Sequence, residues 1–138
     1  MRRLLLVVLA LSSPVATAVA SKPVREYRLK LFNTHSLERL DVVYRREDAY
    51  DPEALAKLDR FLRDRRAGTI KPYDPKLFDL LADLMLTMRL PKGELHVICG
   101  YRTPESNAGL RRLSSKVAKA SLHMQAEAVM RASNFQVP

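Results

Sequence analysis

The first regular pattern in the chain runs from Tyr27 to Phe32, where polar and apolar residues alternate as Tyr-Arg-Leu-Lys-Leu-Phe. A period of two is that of a strand with one face buried. Asn33-Thr34-His35-Ser36 supplies turn residues, and Leu40-Asp41-Val42-Val43-Tyr44 reads as the returning strand of a hairpin. The period then lengthens. Asp51-Pro52 offers an N-cap acceptor followed by proline at the first helical position. Behind it Leu55, Leu58, Phe61 and Leu62 recur at helical spacing, with Lys57, Asp59, Arg60, Arg63 and Asp64 expected to face water. Gly68 falls close after that helix, and the same start signal returns at Asp74-Pro75. Leu77, Leu80, Leu81, Leu84, Met85 and Met88 predict a broad apolar face packed on the core, closed by Pro91-Lys92-Gly93. Leu95 to Cys99 reads as a short buried strand, Thr103-Pro104 caps a helix running to about Leu110, and Arg111 to Ala120 is expected to be an exposed loop. This order predicts one α+β domain, a small antiparallel sheet with two to three helices packed on it.

The N-terminus stands apart from this pattern. Met1-Arg2-Arg3, the apolar run Leu4 to Leu11 and the ending Ala18-Val19-Ala20 have the layout of a secretory signal. Residues 1–20 are therefore expected to be removed, giving an exported, periplasmic protein. The run is too short to span a bilayer comfortably, so no transmembrane segment is expected in the mature chain. The paired arginines leave the choice between the general and the twin-arginine export route open. Removing Arg2 and Arg3 leaves 22 basic residues against 15 acidic ones, so the formal charge falls from +9 to +7. Such a surface favours a polyanion: nucleic acid, anionic lipid or an acidic cell wall. Export argues against nucleic acid.

Candidate chemistry is sparse. Cys99 is the single cysteine, so no internal disulfide forms, and its apolar setting Val97-Ile98-Cys99 predicts a buried, inert thiol. His35 lies in a turn and His96 in a strand beside Glu94, both reading as ordinary structural histidines. His123 alone would read the same way.

The strings "CGYRTPESN" (Cys99 to Asn107) and "SLHMQAEA" (from Ser121) change that reading. Together with "LKLFNTHSLERLDVVY", "YDPEALAKLDRFLRDRRAGTIKPYDPKLFDLL" and "SSKVAKASLHMQ", they resemble the D-alanyl-D-alanine carboxypeptidase-like zinc peptidases that trim bacterial cell walls, in the murein endopeptidase K branch. The resemblance runs from Leu29 to Val129. It implies hydrolysis of peptide cross-links in peptidoglycan, with peptidoglycan peptide stems as partner and zinc as cofactor. It also implies the D-alanyl-D-alanine metallopeptidase fold. The family pattern is Ser-x-His-x-x-Gly-x-Ala-x-Asp with a further histidine downstream. By that pattern Ser121 is a substrate-side residue and His123 the first zinc ligand. Arg102 is placed to steady the developing oxyanion; the plainer alternative is a salt bridge fixing its own loop.

The departures are as informative. Ala126 stands at the family glycine and Ala128 matches, but Met130 occupies the place of the aspartate ligand. A thioether does not replace a hard carboxylate on zinc. One nucleotide restored before Met130 turns "MRASNFQVP" into Asp-Ala-Arg-Leu-Gln-Leu-Pro-Gly-Ala, so residues 130–138 are expected to be a frameshifted tail. On this reading residues 21–129 are the N-terminal part of the peptidase domain, an incomplete version of the family fold. Zinc is held loosely, the chain is inactive, and a sheet edge and part of the Leu77–Met88 face stay open. The alternative is a non-catalytic, wall-associated or vestigial exported protein.

Overall fold

A computed structural model describes residues 22–126. The signal-like segment, Ala128, Met130 and the expected frameshifted tail lie outside the described residues. The hairpin forms as the alternation predicts: β1 (Glu26–Asn33) pairs antiparallel with β2 (Arg39–Arg46), with a register shift between Tyr27 and Arg28. A short β3 (Ala49–Tyr50) adds to β2. Two helices follow, α1 (Pro52–Phe61) and α2 (Pro75–Thr87), then β4 (Leu95–Val97), α3 (Pro104–Leu113) and a single 3₁₀ turn (Leu122–Gln125).

The strand order is β3-β2-β1-β4. The sheet is mixed and not wholly antiparallel, because β4 runs parallel to β1, pairing Leu31 with Leu95 and Asn33 with Val97. The two intervening helices carry the chain back across the sheet, and that long crossover permits a parallel partner. The α+β class holds.

All three helices are proline-led, and α1 and α2 begin as their caps predict. The Asp51 carboxylate accepts from the amides of Glu53 and Ala54 at 2.9 and 3.2 Å, and Asp74 accepts from Lys76 at 2.9 Å. Each such cap is worth about 1 kcal/mol. The core is continuous: Leu29 and Leu31 of β1, Tyr44 of β2, Ala54, Leu58 and Phe61 of α1, Phe78, Ala82 and Met85 of α2, and Leu95 and Val97 of β4. Burial of each large side chain contributes roughly 1.5–3 kcal/mol. Asp79 ties α2 to the sheet, accepting from the hydroxyls of Tyr44 and Tyr50 at 2.9 and 2.6 Å and from Arg45 at 2.8 Å.

Several expectations shift. The inward face of α2 is Phe78, Ala82 and Met85, while Leu80, Leu84 and Met88 are exposed by 64, 45 and 40%. A helix lying on one sheet buries a single seam, and the leucines of α2 extend well beyond its width. Asp64, expected to face water, is only 3% exposed. The helix has already ended at Phe61, so the helical period no longer governs which way Asp64 points. β4 stops at Val97, two residues short of Cys99, and α3 extends to Leu113, into the segment expected to be loop. No helix among the described residues is long and apolar enough to cross a membrane.

Candidate active site

The site is built where β4 leaves the sheet. The peptide at Gly100 lies flat on the end of α1, with the Tyr101 amide donating to the Leu62 carbonyl at 2.7 Å. A Cβ at position 100 would collide with that same carbonyl, so only glycine allows the approach. The contact fixes the start of the Arg102 loop relative to the core.

A buried carboxylate fixes the rest of that loop. Oδ2 of Asp64 accepts from the amide and hydroxyl of Thr103 at 2.7 and 2.9 Å. Its Oδ1 accepts from the amides of Arg66 and Ala67 at 2.8 and 3.2 Å. Burial alone would raise its pKa, but these donors favour the charged form and hold the carboxyl down to about 2. Gly68 closes the turn with φ +69° and donates to the Asp64 carbonyl at 2.7 Å. The Thr103 hydroxyl, while donating to Asp64, also caps α3 by accepting from the Ser106 amide at 3.1 Å.

His123 is brought to the same place from the far end of the chain. Ser121 starts the 3₁₀ turn, its Oγ accepting from the His123 amide at 3.4 Å. The His123 carbonyl accepts from the Arg102 amide at 3.0 Å, and Lys71 binds the next carbonyl, that of Met124, at 3.2 Å. Nδ1 of the imidazole lies 2.9 Å from the Gly100 carbonyl. A carbonyl only accepts, so Nδ1 carries the proton, and in the neutral ring Nε2 keeps its lone pair. That is the arrangement by which metal-binding histidines are oriented. Ala126, at the position where the resemblance expects glycine, ends the turn with φ 60° and ψ 34°. This left-handed conformation is what makes glycine the easier residue there.

The Arg102 guanidinium forms no salt bridge among the described residues. It donates to Asn107 Oδ1 at 3.1 Å and to Cys99 Sγ at 3.2 Å, and Asn107 in turn donates to the Ala118 carbonyl at 3.0 Å. Cys99 is half-buried and lies against His123 and Arg102, so the apolar, isolated thiol expected from its neighbours is not what the fold makes. Burial works against its ionisation, yet His123 and Arg102 outweigh burial and bring the thiol below its ordinary value. Cys99 in turn raises the pKa of His123 against the effects of burial and of Arg102.

Cys99, Gly100, Tyr101 and Arg102 line a cleft of about 480 Å³, facing Arg65 and Arg66. Another cleft of about 380 Å³, between β1 and the end of α2, holds none of these groups. We assign the site to the first, because the histidine, guanidinium and thiol converge beside it. His35 is exposed on the rim of that cleft, and His96 packs edge-on against Phe32, 5.1 Å between ring centres.

With this geometry established, comparison with known proteins is specific. A family model described as peptidoglycan L,D-endopeptidase MepK matches residues 19–135. The chain belongs to that family. It is similar to the protein named "Probable peptidoglycan L,D-endopeptidase MepK" of Haemophilus influenzae, 36% identical over 97 residues, covering 70% of this chain and 52% of that protein. It is also similar to peptidoglycan L,D-endopeptidase MepK of Escherichia coli K12, 40% identical over 116 residues, covering 83% of this chain and 62% of that protein. The chain thus spans between half and two thirds of the length of these relatives. No solved structure matches.

A metal site is not complete among the described residues. Among them, no three His, Cys, Asp or Glu side chains come together in a group able to hold a metal ion. His123 is one oriented imidazole with Cys99 beside it, short of the three or so protein ligands a catalytic zinc takes. The described residues do not by themselves fit the metal. The fold brings Arg102, Ser121 and His123 together, and two residues the sequence does not single out, Asp64 and Asn107, brace the Arg102 loop. The spacing Asp64-Arg65-Arg66-Ala67-Gly68 was a usable turn signal. Asn107 left none beyond its place in the quoted string.

Proposed function

We propose that this chain is part of an exported endopeptidase that hydrolyses peptide cross-links in peptidoglycan, on the periplasmic side of the membrane. The observation that carries this reading is the direct link between Arg102 and His123. The two expected site residues come from segments about twenty positions apart, yet the Arg102 amide binds the His123 carbonyl at 3.0 Å. In peptide hydrolysis the attacked carbonyl oxygen gains negative charge. An arginine with no carboxylate partner among the described residues is poised to meet that charge with charge-assisted hydrogen bonds. His123 is proposed as a zinc ligand through its Nε2, and Ser121 as the residue that sets its turn and borders the substrate.

Zinc enters this reading through the family alone. Because Met130 stands where a carboxylate is expected, we propose that this chain holds zinc loosely and is inactive as written. Met130 and the incomplete ligand set also favour a second reading, a non-catalytic wall-associated protein. Zinc titration with muropeptide digestion separates the two, comparing this chain with one whose residues from 130 onward are rebuilt in the restored frame. The rebuilt chain should bind zinc and cleave, and lose both with His123→Ala. Tight stoichiometric zinc in the chain as written would overturn the inactive reading. Cleavage that survives His123→Ala would overturn the ligand assignment.

A further inference from the structure

Arginines outnumber acids in the lining of the cleft beside the site. Arg63, Arg65, Arg66 and Arg102 all line it, against one acid, Asp64. Arg63 is already engaged, its two terminal nitrogens on the two Glu38 oxygens at 3.2 and 2.9 Å. Asp64 is turned inward, with both oxygens taken by amides and by Thr103. Among the described residues Arg65, Arg66 and Arg102 have no salt-bridge partner.

The placement of these cations is not incidental to the site. The same buried carboxylate holds the Arg65–Arg66 turn through Oδ1 and the Arg102 loop through Oδ2. Two positive loops are therefore fixed face to face across one concave surface. Assembling like charges costs free energy unless an anion joins them, and guanidinium groups match carboxylates through paired hydrogen bonds. Peptides of the cell wall are rich in free carboxylates, so the charge of the cleft complements them.

We propose that this cleft is an anion subsite in which Arg65 and Arg66 hold a free carboxylate of the substrate peptide, leaving Arg102 for the scissile carbonyl. The proposal rests on the endopeptidase reading and adds to it a specificity determinant outside the zinc ligands and the Arg102–His123 pair. The carboxylate lies on the Arg65–Arg66 side of the cleft, so recognition separates from hydrolysis and is measurable in this chain whether or not it cleaves.

The test is binding, by calorimetry or NMR titration, of three peptides to the whole chain and to the double variant Arg65→Gln, Arg66→Gln. The peptides are a synthetic stem tetrapeptide with free carboxylates, its fully amidated form, and an unrelated peptide of equal negative charge. Both arginines are exposed, and their turn is anchored to Asp64 through the backbone amides of Arg66 and Ala67, so the variant should melt like the parent. The parent should bind the free acid about tenfold more tightly than the amide, with the advantage shrinking in high salt and vanishing in the variant. Equal affinity for acid and amide, undiminished affinity in the variant, or no binding of any peptide would overturn the subsite. Stem binding that ignores the arginines would leave the endopeptidase reading standing without it. If the unrelated acidic peptide binds as well as the stem, through the same arginines, the anion subsite stands and the peptidoglycan reading loses its support.

Discussion

The hairpin with its two helices and the segment beyond β4 are held in place by different forces. Up to Val97, position is decided by apolar burial: Leu29, Leu31, Tyr44, Leu58, Phe61, Phe78, Met85 and Leu95 all lie in one cluster. Beyond it, residues 98–126 contribute only Ala126 to that cluster. There the anchors are polar: Asp64 on Thr103, Asn107 on Arg102 and Ala118, Gly100 on His123, and the Arg102 amide on the His123 carbonyl. Apolar burial is non-directional and tolerates adjustment, whereas a hydrogen bond fixes an angle and a distance. A scaffold can rest on the first kind of contact. The proposed site, which would aim an imidazole and a guanidinium, calls for the second.

Substitutions should separate the two regions. Phe78→Ala, at a fully buried position, should cost about 3–5 kcal/mol and shift one cooperative denaturant transition for the whole domain. A local loss confined to α2 would contradict the single-core picture. Gly100→Ala drives a methyl into the Leu62 carbonyl and should cost about 3 kcal/mol, at the upper end for overpacking. Hydrogen exchange should then show residues 98–126 losing protection well before the hairpin does. Equal loss in both regions would mean that the site segment is part of the same cooperative unit.

Asp64→Asn should cost about 2 kcal/mol, since an amide presents a donor where four donors already converge. It should also alter the acid limb of stability. The folded carboxyl sits at about 2, below its unfolded value of about 3.9. Its contribution is therefore present above about pH 4 and is lost as pH falls through about 2, roughly 2 kcal/mol in all. The variant should lack this loss, and acid titration of the parent and variant that coincide would show that Asp64 is not the pin we describe. At the bottom of the scale, Arg28→Ala removes an exposed ion pair with Asp41 and should leave the unfolding midpoint where it was.

The contrast also explains what was legible in advance. The caps at Asp51 and Asp74, the hairpin alternation and the apolar periods of both helices are local signals, and each produced its element in the expected place. Errors arose where the local rule ended. The helical period points Asp64 to water beyond the end of its helix, and the sequence neighbours of Cys99 say nothing of its spatial neighbours, His123 and Arg102. The α2 face was overcounted because periodicity reports which residues are apolar and not how much of them one sheet is able to cover.

What the sequence by itself determined, then, is the set of elements, the α+β class and the identity of Arg102, Ser121 and His123 as residues to watch. These follow from short-range periodicity, capping chemistry and motif. Only the tertiary structure decided that β4 runs parallel to β1, that Asp64 is buried, that Nδ1 of His123 is tied to Gly100, and that three arginines with no salt bridge among the described residues share a cleft. Each of these depends on groups far apart in the chain meeting under packing and desolvation, and no local pattern records such meetings.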